Sequence, residues 1–362
     1  MTSPSGPLVR PYANGLEPAR LLGHFLQHPP EGFSTRLSAH GVMYFHAPFT
    51  LLTAMEASLQ RRMRNWPGYR LWSRWFVFDD TCFIGTTVSE YARLPRDLSA
   101  GELAEWLRDV CAPRQKLTIV KDIPQQSPLL SALDNAHAGQ LQRACENLGF
   151  ISVEGQALAY VPIDFADIDE YLSRMSRSRR RDMRRKLRNR DQLRVEVLHT
   201  GDPRFGDHDW VKALHALYLA VHEQSHVHFD LLTEDFFYAA LNDGGSAGRV
   251  FCYWRDDELV GFNLCYVHGT VLVDKYIGLR YPQAHELNLY FVSWFVNLEH
   301  AREHGLKFYV AGWTDPQVKA SLGARFTFTR HLVWVRHPLL RRVLNRFRHY
   351  FEGETLAMAA TS

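Results

Sequence analysis

Residues 259–313 read LVGFNLCYVHGTVLVDKYIGLRYPQAHELNLYFVSWFVNLEHAREHGLKFYVAGW, an order that few architectures accommodate. Residues 259–266 and 270–277 are β-branched and aromatic runs broken by His268-Gly269, the signature of a hairpin. Residues 286–304 place Leu287, Tyr290, Phe291, Trp294, Phe295 and Leu298 three or four apart, which predicts one long helix. Gly305 stops that helix, and residues 307–311 re-enter the sheet. The loop between the hairpin and the helix is a ready anion site, because free backbone N–H groups and the helix dipole point at it.

A chain of 362 residues is long for one ordinary domain, and two are expected. The net charge of +3 hides a local excess: residues 174–190 hold ten Arg or Lys side chains and one acid, Asp182. Cys82, Cys111, Cys145, Cys252 and Cys265 are odd in number, lack CxxC spacing and sit mostly in apolar runs. That pattern predicts buried thiols in a reducing compartment. The first 15 residues carry no apolar signal core, and apolar segments break well short of the roughly 18 residues that span a bilayer. A cytoplasmic protein is expected.

Residues 1–20 are rich in Pro, Gly and Ser and predict an extended arm. Residues 35–98 read as β-rich, 103–111 as a helix, 116–123 as a buried strand, 129–147 as a helix and 150–163 as a hairpin or strand pair. The second half repeats this order, with helices over 210–224 and 233–242 before the central hairpin. After the strand near 307–311, a short helix leads into a hairpin ending at 335. The endings NLGFISVEGQALAYVPI (147–163) and SLGARFTFTRHLVWV (321–335) are alike, which predicts an internal duplication of one mixed unit. The expected domains are an arm over 1–20, a first unit over 21–163, a second unit over 164–336 carrying the active site, and a basic amphipathic helix and tail over 337–362. That last helix either packs on its own domain or touches an anionic membrane surface.

Residues 161–189, VPIDFADIDEYLSRMSRSRRRDMRRKLRN, resemble the entry to the second domain of Fem-like GNAT proteins, a peptidoglycan-biosynthesis-type group. YIGLRYPQAHELNLYFVSW and the Lys-x-x-x-Gly turn in KASLGARF are similar to the same group, so the resemblance covers roughly residues 115–336. It implies an α+β fold of two tandem GNAT-like units, with mixed, mostly antiparallel sheets flanked by helices. It also implies an N-acyltransferase moving an acyl group from acyl-CoA, acetyl-CoA or longer, to the amine of a small molecule or peptide. The usual Q/R-x-x-G-x-G/A phosphate loop is absent. Residues 280–287 read RYPQAHEL, which leaves the backbone less room to wrap a pyrophosphate. An aminoacyl-tRNA donor is therefore the rival reading, and a non-catalytic RNA- or partner-binding protein is a third. The oligomeric state is not legible.

Alternation along the strand places Asp274 and Tyr276 on one face and Lys275 on the other. Acyl transfer to an amine needs a proton acceptor, a group that polarises the carbonyl and a proton donor. Asp274 is a candidate base, or else pairs with Lys275. His285 is a second candidate base. Glu286 joins the site, or is simply a favourable first-turn carboxylate. The resemblance implies that Tyr276, Gly278, Arg280, Leu287 and Lys319 bind the donor, and that His226, His228, Tyr276 and Trp313 line the acceptor. His222 and His226 stand at i, i+4, but no third ligand follows with metal spacing and no HExxH occurs, so no metal is expected. Ser178 is the expected N-cap of the basic helix, with Met183 and Leu187 as its apolar stripe. Its arginines form either a phosphate-binding surface or a solvated face.

Overall fold

The computed structural model describes residues 11–50, 65, 77–111, 114–225 and 229–346. Its strands are β1 (Ser34–Leu37), β2 (Met43–Thr50), β3 (Val77–Ile84), β4 (Leu117–Gln125), β5 (Ile151–Pro162), β6 (Arg194–His199), β7 (Gly248–Arg255), β8 (Glu258–His268), β9 (Val271–Leu279), β10 (Phe308–Gly312) and β11 (Arg325–Val335). They belong to two compact units. The first is Met1–Gly15, Gly32–Ala157 and Thr327–Ser362; the second is Leu16–Glu31 and Leu158–Phe326.

In the first unit β1, β2 and β3 form an antiparallel meander, β4 runs parallel to β3, and β11 pairs antiparallel with β4. In the second unit β6 to β9 form the meander, β10 runs parallel to β9, and β5 pairs antiparallel with β10. Parallel neighbours need a crossover, and the helices Ala100–Trp106 and Leu289–Glu303 lie in those connections. The fold is α+β, with mixed, mostly antiparallel sheets flanked by helices.

Both halves of the chain follow one order: three antiparallel strands, a crossover helix, a parallel strand, a second helix and a long final strand. β1 to β5 run through it once and β7 to β11 again. The final strands then exchange. β5, which ends the first repeat, closes the second unit against β10, while β11 closes the first against β4. The compact units therefore differ from the expected division at residue 163, because ladder hydrogen bonds, not chain order, decide which strands pack together.

Several local expectations are corrected. Residues 151–162 and 325–335 are single strands, not hairpins. Gly155 lies in mid-strand; a Cβ there would sit 2.2 Å from Thr329 Oγ1. Residues 11–19 are not a loose arm, since Ala13, Asn14, Leu16 and Glu17 are almost wholly buried. The following helix, Arg20–Gln27, is tied to Asp243 by Arg20 Nη1 at 3.1 Å and His24 Nε2 at 3.0 Å. The long helix begins at Leu289 because Asn288 adopts φ +51°, which cuts off a short helix, Gln283–Glu286. The basic helix, Arg177–Leu187, is capped by Ser176 rather than Ser178. Cys82, Cys145, Cys252 and Cys265 are buried free thiols. Among the described residues no helix is long and apolar enough to cross a membrane.

Candidate active site at the fork between β9 and β10

β9 and β10 pair at three positions only: Val271 with Phe308, Leu272 with Tyr309 and Val273 with Val310. Both strands then change course. β10 shifts register against β5 between Val310 and Gly312, and β9 bulges against β8 between Asp274 and Tyr276. The ladder ends there and a fork opens. Asp274 stands at one branch, Ala311 and Gly312 at the other.

The bulge reverses the expected side-chain alternation. Cys265 faces Asp274 and Leu264 faces Tyr276, so Lys275 has no opposite residue. One extra residue sends Asp274 and Tyr276 to opposite faces of the sheet. Asp274 turns toward the Leu289–Glu303 helix. Tyr276 turns toward the helices His208–Gln224 and Glu234–Leu241, with its ring 6.3 Å from Tyr218, 6.0 Å from Phe236 and 5.7 Å from Phe237. Lys275 lies 3.9 Å from the buried Glu17, not paired with Asp274.

Asp274 is the centre of a polar network. Asn263 Nδ2 donates to both its oxygens at 3.1 Å, Asn297 Nδ2 to Oδ2 at 3.1 Å, and the Tyr309 hydroxyl to Oδ2 at 2.9 Å. The Cys265 thiol lies 3.6 Å from Oδ1. The residue as a whole keeps some exposure, but these donors enclose its carboxylate. Burial pushes the Asp274 pKa above its usual range, while hydrogen bonds from Asn263 and Tyr309 and the charge of Lys319 pull it back. The sequence reading did not find Asn263, Asn297 or Tyr309. The available signal was a lone Asn inside two apolar runs, GFNLC and FVNLE, since a buried amide requires a partner.

Lys319 reaches the other branch of the fork. It is 4% exposed, and its Nζ donates to the Ala311 carbonyl at 2.6 Å. A Cβ on Gly312 would lie 3.8 Å from that Nζ and 3.9 Å from the Asp274 carbonyl oxygen, so Lys319 and the Asp274 backbone flank the same glycine. The Lys-x-x-x-Gly turn is the helix Pro316–Ser321 followed by Gly323. Gly323 has φ +93°, and a Cβ there would sit 2.8 Å from the Tyr171 hydroxyl, which donates to the Leu322 carbonyl at 2.6 Å. Only glycine fits that position.

The remaining candidates are more dispersed. Trp313 is half-buried just after β10. Gly278 faces the His208–Gln224 helix, where a Cβ would meet Phe262 Cε1 at 2.2 Å and Leu217 Cβ at 2.8 Å. Arg280 Nε donates to the Leu259 carbonyl at 3.1 Å and lies 3.3 Å from Glu258. His285 is exposed and packs on Tyr281 at 4.8 Å between ring centres. Glu286 pairs with Arg255 at 3.4 Å, and Leu287 is buried in the core of the second unit. Among the described residues Arg280, His285 and Glu286 thus form no hydrogen bond or ion pair with the Asp274 network. His226 and His228 lie outside the described residues. Among the described residues no group of His, Cys, Asp or Glu side chains is placed to hold a metal ion.

A sequence model of the FemAB-like family, described as peptidoglycan biosynthesis/recognition, matches residues 114–361. No curated protein matches the chain. Solved structures share its fold, and three of them follow. The C-terminal domain of a putative lysylphosphatidylglycerol synthetase from Agrobacterium fabrum has a TM-score of 0.54 at 12% identity, covering 90% of this chain and 89% of that one. FemX has a TM-score of 0.53 at 11% identity, covering 94% and 96%. L-PGS from Bacillus licheniformis has a TM-score of 0.52 at 11% identity, covering 92% and 98%.

Proposed function

The chain belongs to the FemAB-like family, and from that premise we propose that its second unit transfers an acyl or aminoacyl group from an activated carrier to an amine. The observation that carries this reading is the fork itself. Two strands part beside a buried lysine, which gives an extended donor a slot between unpaired backbone and a fixed positive charge. The amine nitrogen attacks the donor carbonyl carbon, the bond to the carrier oxygen or sulfur breaks, and the proton lost by the amine ends on the departing carrier atom. Lys319 stabilises the negative charge that develops on the carbonyl oxygen, the step at which a preorganised donor contributes most. Asp274, with both oxygens already accepting hydrogen bonds, is assigned to holding the fork and balancing Lys319.

The acceptor that fits the family description is an amine on a peptidoglycan precursor peptide. The test mixes the purified chain with such a peptide and either acetyl-CoA or aminoacylated tRNA, and reads the product by mass spectrometry. The expected result is one added acyl or aminoacyl group with one of the two donors, abolished by Lys319→Met. No product with either donor, or a Lys319→Met variant as active as the parent chain, overturns the reading.

A further inference from the structure

The helix Pro338–Arg346 belongs to the first unit. At about 100° per residue its side chains divide into two arcs. One arc is committed to the unit: Leu344 is buried, Leu340 is half-buried, and the Arg341 guanidinium lies 3.9 Å above the Trp334 ring. The other arc, about 100° wide, carries Leu339, Arg342, Val343 and Arg346, all exposed. Leu339 is 63% exposed and Val343 51%. Among the described residues the other large exposed hydrophobics, Val77, Leu133 and Val197, stand one to an element, whereas these two share a helix face.

The surrounding charge identifies what such a face can meet. From 316 to 351 the sequence contains no Asp or Glu. Among the described residues Arg336, Arg342 and Arg346 have no acidic partner. One exposed leucine is ordinary on a protein surface. An i, i+4 apolar pair bordered by unneutralised guanidinium groups is the pattern of a helix lying in a bilayer interface, with apolar side chains below the headgroups and cations level with them. A second copy of the chain docked through this face would bring the same arginines together. A nucleic acid would leave the leucine and the valine in water. Two apolar side chains insert only shallowly, so attraction to anionic headgroups has to supply the rest.

From this we infer that the exposed arc of the Pro338–Arg346 helix docks on the surface of an anionic phospholipid bilayer. Leu339 and Val343 enter between the headgroups, while Arg342 and Arg346 meet lipid phosphates. Packing and membrane contact, which the sequence offers as alternatives for this helix, fall to its two opposite faces. The surface belongs to the first unit and takes no part in the transfer proposed for the second. Its binding is measured without donor or acceptor, so the two readings fail separately.

The test is cosedimentation of the full chain with vesicles of phosphatidylcholine, alone or with 30% phosphatidylglycerol, from about 50 to 500 mM salt. The expected result is partition onto the anionic vesicles that weakens as salt rises, and none onto phosphatidylcholine alone. Leu339→Gln with Val343→Gln should lower that partition ten-fold or more. Arg342→Gln with Arg346→Gln should lower it equally and flatten its salt dependence. The charge-matched control is Arg177→Gln with Arg181→Gln, both exposed on the helix Arg177–Leu187, and it should bind like the parent chain. Equal partition onto both vesicle types, no partition at low salt, unchanged binding after the Leu339 and Val343 changes, or an equal loss in the control would each overturn the inference. So would a concentration-dependent dimer that the Leu339 and Val343 changes dissolve, since the face would then belong to a second copy. All the substituted positions are exposed, and thermal melts matching the parent chain establish that the fold is intact.

Discussion

The Nζ of Lys319 donates a 2.6 Å hydrogen bond to the carbonyl oxygen of Ala311 at the point where β10 leaves β9. The ladder would otherwise offer that carbonyl a strand partner. The lysine takes that role and brings its charge into the fork.

Lys319→Met keeps the length of the stem and removes the charge. Transfer is expected to fall by about 10²–10³ in kcat if the ammonium stabilises the oxyanion. Steady-state kinetics with whichever donor supports turnover checks this. A change confined to KM would assign Lys319 to ground-state binding instead.

Tyr309→Phe deletes the 2.9 Å hydrogen bond to Asp274 Oδ2. A hydrogen bond to a charged group contributes about 1.5–3 kcal/mol, so the urea midpoint should fall accordingly. An unchanged midpoint would show that Asn263 and Asn297 hold the carboxylate without the tyrosine.

Asp274 also sets a pH dependence. Burial raises its pKa above the usual 3.8, so folding favours the protonated acid. The stability from this group is present below the unfolded value and is lost as pH rises through the higher folded value. Asp274→Asn removes that dependence. Relative to the parent chain, the variant should gain stability as pH rises across this window in paired urea titrations. A difference that stays constant with pH would contradict the burial argument.

Gly278→Ala forces a methyl group to within 2.2 Å of Phe262 Cε1. Overpacking of this kind costs about 1–3 kcal/mol. A drop in melting temperature is expected even without any donor present, which would mark Gly278 as a packing residue between β9 and the His208–Gln224 helix.

The first unit contains a second fork, and it is filled. β3 and β4 pair at three positions, ending with Ile84 and Val120. Beyond that point Lys121 donates to the Thr86 carbonyl at 3.0 Å and pairs with Asp122, whose N–H donates to His331 Nδ1 at 3.0 Å. Residues 88–94 are all buried. Titration of the functional donor should therefore give one site per chain, and Lys121→Met should lower stability but leave kcat unchanged. Two sites per chain would refute this.

Periodicity and turn chemistry in the sequence were enough for the α+β class, the repeated order of elements and the hairpin, helix and strand that frame the fork. These depend on contacts close along the chain: apolar spacing in residues 289–303, His268-Gly269 at the hairpin, Gly305 at the helix end. The Lys-x-x-x-Gly turn was legible only through the family resemblance, and its Gly323 adopts a positive φ. Other features were decided only by tertiary structure. The exchange of β5 and β11 depends on which strand edges meet, and nothing in NLGF or SLGA encodes that. The bulge at Lys275 separates Asp274 from Tyr276, and a one-residue slip leaves no mark in an alternating run. Asn263, Asn297 and Tyr309 converge on Asp274 from separations of 11, 23 and 35 residues. A buried carboxylate must collect its hydrogen-bond donors wherever the fold brings them, and the chain order of those donors carries no trace of the meeting.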